Sequence, residues 1–378
     1  MLLKRWIWLI LILLLLPVQA QAVELDIEAP SALLMEKTTG EILYAKNEHE
    51  KMEPASVTKV MTLLLTMEAI EKGAISYDDV VTVSAYAASM GGSNVYLAEG
   101  EQITVEELLK AVCVASGNDA SVALAEHVSG VTELFVAEMN NRARELGMND
   151  TNFVNCTGLP AEGHLTSAWD IAIMSRELIL NYPDLRRFTT IWMDSLRGGA
   201  FELANTNKLI RFYDGATGLK TGSTSSAGYC ISATAEREGM ELIAVVLKGS
   251  ASQQRFEDAK TMLNYGFATY ALHTVEPDEP LSPLAVRLGM TDTVPLTLPQ
   301  QGRTVLVKKS QAAGLTQELT LPQQVDAPIA QGQQLGTLTV CDGDSVVLEV
   351  PVQAAESVEK LTWGEMYRRL LIKTFMLQ

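Results

Sequence analysis

The chain has 378 residues and a formal net charge of −17, so it is long enough for two or three domains and a sizeable core. The acidic balance argues against a nucleic-acid partner, which would require clustered basic residues. Four cysteines and four histidines show no metal-ligand spacing, and we expect neither a metal nor another cofactor.

The first 22 residues have the three parts of a secretory signal. Two basic residues precede an apolar run over 6–16, Pro17 ends the run, and the small-x-small site from Ala20 to Ala22 follows. The run is short for a bilayer of roughly 30 Å, which argues against the alternative of an uncleaved membrane helix. We therefore expect cleavage after Ala22 and a mature protein that works outside the cytoplasm.

The cysteines are far apart in an exported chain. They are Cys113, Cys156, Cys230 and Cys341. Two disulfides are the alternative in an oxidising compartment, but a domain of this size can be stable without them. We expect unpaired, buried cysteines.

Apolar periodicity and turn signals predict alternating strands and helices up to about residue 270. A hairpin over 31–45 precedes a nearly all-apolar helix that begins close to residue 56. Further helices are predicted over 104–115, 119–128, 132–146, 167–180 and 255–267, and antiparallel strands over 227–235 and 242–247. The stretches 84–94 and 152–166 are predicted to be loops.

The first chemical motif is Ser56-x-x-Lys59. At this spacing both side chains lie on one face of a helix, about a turn apart. Burial and cationic neighbours can lower the pKa of a lysine until its neutral amine is available as a base. A serine hydroxyl needs such a base to accept its proton before it can attack a carbonyl. Roughly one or two such matches arise by chance in a chain of this length. Ser357-x-x-Lys360 is a second match, which we interpret as solvated and inert.

The second motif is Ser116-x-Asn118, at a predicted corner between two helices. Short polar side chains at such a corner can point into a cleft. Ser, Gly and Asn are also common in an ordinary cap and turn, so the motif has a purely structural alternative.

The third motif is Lys220-Thr221-Gly222, followed by Ser223, on a predicted edge strand. The lysine can supply positive charge to a cleft, the threonine a hydroxyl, and the glycine room for a substrate backbone. A solvated lysine in a turn is the alternative.

The three motifs together occur in the order found in penicillin-binding proteins and serine β-lactamases. Their fuller wording resembles the low-molecular-mass D-alanyl-D-alanine carboxypeptidases, the serine peptidases that trim peptidoglycan stems. The segments that carry this resemblance are Pro54-Ala55-Ser56-x-Thr58-Lys59, Ala115-Ser116-Gly117-Asn118-Asp119-Ala120 and Gly218-Leu219-Lys220-Thr221-Gly222. The resemblance covers about 25–270 and implies an α/β fold. This is a β-lactamase/transpeptidase-like sandwich, with an antiparallel sheet flanked by helices and a helical insert.

The resemblance also implies roles for the motif residues. Ser56 is expected to be the nucleophile that forms an acyl-enzyme, Lys59 its base, and Ser116 the group that relays a proton to the leaving amine. The substrate-binding residues are expected to be Asn118, Lys220, Thr221, Gly222 and Ser223. Lys220 and Thr221 would bind the terminal carboxylate, and the backbone N–H groups of Ser56 and Ser223 would form the oxyanion hole. Many members have histidine at the position of Ser223, and this change keeps the backbone donor.

After about residue 270 the composition changes. Three prolines among acidic residues over 277–283 predict a stiff linker. Short β-like runs over 284–352, including 304–307, predict a small all-β domain, a sandwich with no catalytic constellation. We expect this domain to be a spacer, with partner binding as the alternative.

The last segment, 361–378, has the pattern of an amphipathic helix whose charges exclude spanning of a membrane. Its apolar face combines Trp363, Met366, Tyr367, Leu370 and Leu377. A cationic helix with aromatic residues on its apolar side suits the interface of an anionic membrane. Docking of the helix on its own protein is the alternative.

The predicted organisation is therefore a signal peptide over 1–22, a catalytic domain over 23–275, a linker and β domain over 276–355, and an anchor helix over 356–378. The predicted protein is a serine D-Ala-D-Ala carboxypeptidase at the outer face of the cytoplasmic membrane. It is expected to bind peptidoglycan pentapeptide stems and to be inhibited by β-lactams.

Two other functions remain open from the sequence. A serine β-lactamase would need an extra base for fast deacylation, and the loop over 152–166 offers Glu162 alone. A catalytically silent wall-binding protein would not need all three motifs intact.

Overall fold

The computed structural model describes residues 25–375. The expected signal and cleavage site at 1–22 lie outside the described residues, as does Leu377 of the expected anchor face. Within 25–375, no helix combines the length and the apolar character that crossing a bilayer requires.

The strands form a central sheet and several smaller sheets. In chain order they are β1 (Ser31–Glu36), β2 (Ile42–Lys46), β3 (Val80–Thr82), β4 (Gln102–Thr104), β5 (Met193–Leu196), β6 (Phe201–Ala204), β7 (Ala216–Thr224), β8 (Gly228–Arg237), β9 (Met240–Gly249), β10 (Tyr270–Thr274), β11 (Leu284–Arg287), β12 (Thr293–Val294), β13 (Leu296–Thr297), β14 (Thr304–Lys308), β15 (Leu315–Thr320), β16 (Gln324–Asp326), β17 (Gln334–Asp342) and β18 (Ser345–Ala354).

The helices lie between and around these strands. They are α1 (Lys59–Glu71), α2 (Ala85–Ala88), α3 (Val105–Lys110), α4 (Asn118–Ser129), α5 (Thr132–Glu145), α6 (Ala168–Asn181), α7 (Arg186–Thr189), α8 (Leu209–Phe212), α9 (Ser252–Thr269), α10 (Lys309–Ala312) and α11 (Trp363–Phe375). Short 3-10 turns cover Ala55–Thr58, Pro183–Leu185 and Arg197–Gly199, and a π-helical turn covers Ala111–Ala115.

The central sheet is antiparallel, with strand order β2-β1-β9-β8-β7. Alternate side chains of β9 enter two different cores, because successive residues of a strand point to opposite faces. Leu242 and Ala244 pack on the side of α9. Ile243 and Val245 pack on the side of α1, α4 and α6. The predicted sheet with helices on both faces is confirmed, and β7 is its edge strand, as the third motif required.

The helical side of the sheet differs locally from the prediction. The stretch 84–94, predicted to be a loop, contains α2, which Ser84 caps by accepting a hydrogen bond from the N–H of Ala87. The helix predicted over 104–115 has the expected N-cap at Thr104. It widens at Ala111 into the π-helical turn, which ends at Ser116 in the left-handed region with φ 63°. Such turns are frequent at functional sites.

The C-terminal part is mostly strands, as predicted. One small sheet has the order β12-β11-β16 and another the order β13-β18-β17-β15, and each contributes to its own small apolar core. Two features differ from an all-β domain. The short helix α10 interrupts the strands, and β14 pairs with β10 at the end of α9 instead of joining either sheet.

The last helix, α11, exposes one apolar side. Trp363, Tyr367 and Leu370 are 85%, 66% and 62% exposed. On another side of the helix, Arg369 donates to the carboxylate of Asp292 and to the carbonyl of Met290. The helix is therefore held to the C-terminal domain through a polar contact, while its aromatic side remains open.

All four cysteines are free, as expected. Three are buried, but Cys341 is only partly buried, so the expectation of burial is wrong at that position. Cys341 follows the fully buried Val340 in β17, so its side chain points to the opposite face of the sheet, where it is only partly buried.

Candidate active site

The three motifs meet at one place. Ser56 lies in the 3-10 turn at Ala55–Thr58, and Lys59 is the first residue of α1. Ser116 follows the π-helical turn directly, and Asn118 is the first residue of α4, which packs against α1. The turn that carries the serine also packs against β7, which carries the third motif.

The residue before the serine is held in an unusual backbone conformation. Ala55 has a φ of 48°, in the left-handed region that costs an L-residue roughly 1–2 kcal/mol. Such strain persists only where the surrounding structure enforces it, and it is concentrated at functional sites. Ser56 itself is half-buried, so its hydroxyl is accessible at the end of this strained turn.

Lys59 is completely buried and surrounded by oxygen atoms of three residues. Its Nζ lies 2.9 Å from Ser56 Oγ, 2.7 Å from Asn118 Oδ1 and 2.7 Å from the carbonyl oxygen of Thr157. The Asn118 amide is oriented by its Nδ2, which donates to the carbonyl of Gly91 at 2.7 Å. Its oxygen is therefore the atom that faces the lysine.

The electrostatics of this pocket favour a neutral amine. Burial lowers the pKa of Lys59 well below its ordinary value, and the nearby positive charge of Lys220 lowers it further. No carboxylate among residues 25–375 forms an ion pair with Lys59. A neutral amine has two N–H groups and one lone pair. The acceptors on Asn118 and Thr157 take the two N–H groups, which leaves the lone pair for the hydroxyl proton of Ser56.

Ser116 is buried close to this pair with an unused hydroxyl. Its left-handed backbone ends the π-helical turn, and its Oγ has no hydrogen-bond partner among the described residues. An unsatisfied buried hydroxyl is unfavourable in a resting protein. A bound molecule can satisfy it, so Ser116 is well suited to hydrogen-bond a substrate.

The third motif contributes a second buried lysine, on the strand against which the Ser56 turn packs. Lys220 is 1% exposed and its Nζ donates to the carbonyl of Thr221 at 2.9 Å. Burial lowers the pKa of Lys220 to about 7. The hydroxyl of Thr221 donates to that of Thr206 at 2.8 Å, and Ser223 is exposed at the end of the motif.

Gly222 lies at the contact between β7 and the turn that carries Ser56. A Cβ at this position would lie 2.8 Å from the backbone nitrogen of Ser56 and 2.8 Å from the carbonyl oxygen of Pro54. No side chain larger than hydrogen fits there. The sequence suggested that this glycine makes room for a substrate backbone, and the structure shows that it also makes room for the protein's own turn.

Sequence reasoning missed the residues that support the site from the loop over 152–166. The Thr157 carbonyl accepts from Lys59, and Gly158, with φ +83°, lies directly against Ala55. No residue-type signal marks a backbone carbonyl as functional. Asp119 was also missed; its carboxylate accepts from the N–H groups of Val95 and Leu97 and ties that segment to α4.

The loop over 152–166 does not supply an extra base at the serine. Glu162 is exposed on the surface. Within 25–375, no aspartate or glutamate side chain hydrogen-bonds to Ser56 or Lys59. The geometry thus offers one base, Lys59, for both halves of an acyl-transfer reaction.

Comparison with known proteins identifies the family of the chain. The family described as D-alanyl-D-alanine carboxypeptidase matches residues 18–251, and the penicillin-binding protein 5 C-terminal domain matches residues 272–360. The D-alanyl-D-alanine carboxypeptidase DacF of Bacillus subtilis is 44% identical over 342 residues, covering 89% of this chain and 87% of the relative.

Solved structures share the fold. Penicillin binding protein 5 from Haemophilus influenzae has a TM-score of 0.78 and 29% identity, covering 90% of this chain and 100% of that one. Penicillin-Binding Protein D2 from Listeria monocytogenes in its ampicillin-bound form has a TM-score of 0.60 and 32% identity, covering 65% of this chain and 99% of that one. The chain belongs to the D-alanyl-D-alanine carboxypeptidase family and is a serine peptidase, not a silent wall-binding protein.

Proposed function

We propose that this enzyme removes the terminal D-alanine from peptidoglycan stem peptides through an acyl-enzyme on Ser56. The observation that carries the proposal is the 2.9 Å contact between Lys59 Nζ and Ser56 Oγ. The same Nζ donates to the oxygen atoms of Asn118 and Thr157. A buried amine whose pKa is lowered can take the serine proton at neutral pH.

The proposed reaction uses these groups in the following order. Ser56 Oγ attacks the carbonyl carbon of the penultimate D-alanine as its proton passes to Lys59. The negative oxygen of the tetrahedral intermediate is stabilised by the N–H groups of Ser56 and Ser223. The proton then passes through the hydroxyl of Ser116 to the departing amine, the C–N bond breaks, and D-alanine leaves. Water, activated by Lys59, hydrolyses the ester and regenerates Ser56.

Recognition of the substrate is assigned to both walls of the cleft. The buried Lys220 provides positive charge for the terminal carboxylate, and Thr221 provides a hydroxyl for it. Asn118 orients Lys59 and can also contact the substrate amide. Gly222 and Ser223 present the backbone of the edge strand to the extended peptide. A β-lactam carbonyl would be attacked in the same way, and the resulting acyl-enzyme is the basis of the proposed inhibition.

The direct test is release of free D-alanine from a peptide that ends in D-Ala-D-Ala. We expect turnover of this peptide and little turnover of its D-Ala-L-Ala isomer. Hydrolysis of penicillin at a high rate with no release of D-alanine would instead support a β-lactamase.

We expect Lys220→Ala to reduce kcat/KM for free-acid peptides by about 10- to 100-fold, because a charge-assisted interaction contributes about 1.5–3 kcal/mol. The kcat/KM for C-terminal amides of the same peptides should fall much less.

The pH profile of the wild-type enzyme should also depend on the charge of Lys220. Lys220 is protonated below its pKa of about 7, so its advantage for free acids is lost as the pH rises through that value.

The Lys220 variant should also change Lys59. The positive charge of Lys220 lowers the pKa of Lys59. Removal of that charge should raise the pKa of Lys59, and the acid limb of the pH profile of penicillin acylation should therefore move to higher pH. The control is Lys208→Ala, which removes an exposed lysine from the nearby surface. Equal losses on free acids and amides would contradict the assignment of Lys220 to the carboxylate.

The proposed location is the outer face of the cytoplasmic membrane, with α11 in the lipid interface and the C-terminal domain as a spacer. Support comes from the signal-like residues 1–22 and from the exposed aromatic side of α11. A helix in the interface buries such a side among acyl chains, and basic residues add attraction to anionic headgroups.

Replacement of Trp363, Tyr367 and Leu370 by glutamine should abolish binding to phosphatidylglycerol-containing vesicles and leave peptide hydrolysis unchanged. The matched control replaces Leu319 and Val346, exposed apolar residues of the same domain, by glutamine. Truncation before Thr362 should likewise give an active protein that does not sediment with vesicles. Retained binding, or unfolding of the truncated protein, would assign α11 to the fold.

A further inference from the structure

Arg255, in the first turn of α9, is a buried cation that the proposed reaction does not use. It is 7% exposed, and no carboxylate among residues 25–375 lies within ion-pair distance of it. Its guanidinium donates through one nitrogen to the carbonyls of Gly222, at 2.9 Å, and Cys230, at 3.2 Å. A buried charge without an acidic partner is costly, so the contacts that keep it there call for an explanation.

The carbonyl of Gly222 belongs to the peptide unit that ends in the N–H of Ser223. Gly222 is opposite Cys230 in the register of β7 and β8, and both carbonyls converge on the same Arg255 nitrogen. The C=O and N–H of a trans peptide point in opposite directions. The Ser223 N–H therefore points away from β8, out of the sheet edge.

The turn that carries Ser56 packs against β7 at the same glycine, beside this open edge. Gly222 lies so close to the turn that a Cβ would be 2.8 Å from the backbone nitrogen of Ser56. The two N–H groups proposed as the oxyanion hole thus come from backbone segments in direct contact. Helix α9 packs through Phe256 and Met262 on the face of the sheet opposite the Ser56 turn. Arg255 therefore contacts the Gly222–Ser223 peptide unit from the side of α9.

We infer that Arg255 is a positioning residue for the oxyanion hole: it holds the Gly222–Ser223 peptide so that the Ser223 N–H faces the substrate carbonyl, and its charge polarises that peptide. A hydrogen bond from a guanidinium to the C=O makes the N–H of the same amide a stronger donor. The inference rests on the proposed function, because it needs an oxyanion at Ser56. β7 is the edge strand of the central sheet, so among the described residues no further strand pairs with its outer side, and Arg255 adds to the pairing with β8 on the inner side.

The test compares Arg255→Met and Arg255→Lys in the full-length protein. Loss of one oxyanion donor reduces kcat by about 100- to 1,000-fold, and loss of its orientation should cost less. We expect Arg255→Met to reduce kcat and the rate of penicillin acylation by about 10- to 100-fold with little change in KM. Arg255→Lys, which keeps a charged donor, should retain a larger part of the activity. Lys260→Met, which removes a partly exposed charge from the same helix, should be unchanged.

The infrared band of the acyl-enzyme carbonyl distinguishes positioning from a merely structural role. Oxyanion-hole donors polarise this carbonyl and lower its stretching frequency. In the Met variant the band should move to higher frequency, and in the Lys variant it should move less. If the Met variant does not fold, the Lys variant alone must show the shift.

An unchanged carbonyl band in an acylated variant would overturn the inference. So would a loss confined to free-acid substrates and absent with their amides, because that result would make Arg255 a carboxylate-binding residue. Failure of the proposed function looks different, since the wild-type protein would then not be acylated at Ser56 at all.

Discussion

A Ser56→Ala variant is expected to form no covalent adduct with labelled penicillin and to release no D-alanine from peptide substrates. Removal of a serine nucleophile in an acyl-transfer enzyme typically reduces kcat by about 10⁶-fold. The fold should persist, because Ser56 is half-buried and its hydroxyl contacts only the Lys59 amine among the hydrogen bonds of the described residues. Mass spectrometry of the wild-type adduct should locate the label on Ser56.

The chain provides its own control for this experiment. Ser357 and Lys360 repeat the spacing of Ser56 and Lys59 in the C-terminal domain, where the Ser357 hydroxyl accepts from the exposed N–H of Gln331. Ser357→Ala should label and turn over like the wild-type protein. Labelling that survives in Ser56→Ala, or an adduct at any other residue, would contradict the mechanism.

Gly158→Ala is expected to be the most damaging conservative change in the loop beside the nucleophile. An added Cβ would lie 1.8 Å from the carbonyl oxygen of Ala55 and 2.9 Å from the backbone nitrogen of Ser56, so backbone must move. The left-handed conformation, φ +83°, adds its own penalty. We expect the free energy of unfolding to fall by about 3–5 kcal/mol, and acylation to slow by at least about 100-fold because the serine is displaced from Lys59.

Gly163→Ala is the matched control for the clash. Gly163 is in the same loop with nearly the same φ, +78°, but a Cβ there would be 3.8 Å from its nearest neighbour, the side chain of Asn152. It should cost about 1–2 kcal/mol for the backbone conformation and leave acylation intact. Thermal unfolding and stopped-flow acylation measure the two effects separately. Similar acylation rates for both variants would show that Gly158 does not position the nucleophile turn.

Some features of the protein depend on local pattern, and for these the sequence was sufficient. The apolar run after Lys59 predicts a buried helix, and α1 is buried along most of its length. The alternating and apolar runs around residue 240 predict adjacent antiparallel strands, which β8 and β9 are. The wording of the three motifs identified the family, because each motif is short and contiguous. The prediction was wrong at α2, and the helix predicted over 104–115 ends in a π-helical turn that its sequence pattern does not indicate.

Other features depend on groups that the sequence does not distinguish. The Thr157 carbonyl beside Lys59 is chemically the same as every other backbone carbonyl, and only the path of the loop brings it to the amine. The glycines at 158 and 222 resemble ordinary turn and strand glycines until the atoms that would meet a Cβ are known.

The amino-acid sequence by itself therefore determined the family, the fold class and the three motifs that the fold brings together, because side-chain chemistry and short-range periodicity can be read residue by residue. Only the tertiary structure decided that Lys59 is buried among acceptors, that the Ser116 hydroxyl has no hydrogen-bond partner among residues 25–375, and which cation contacts the Gly222–Ser223 peptide. Burial and the direction of a peptide bond are set by contacts between segments far apart in the chain. The lowered pKa of Lys59 and the position of Arg255 are consequences of those contacts.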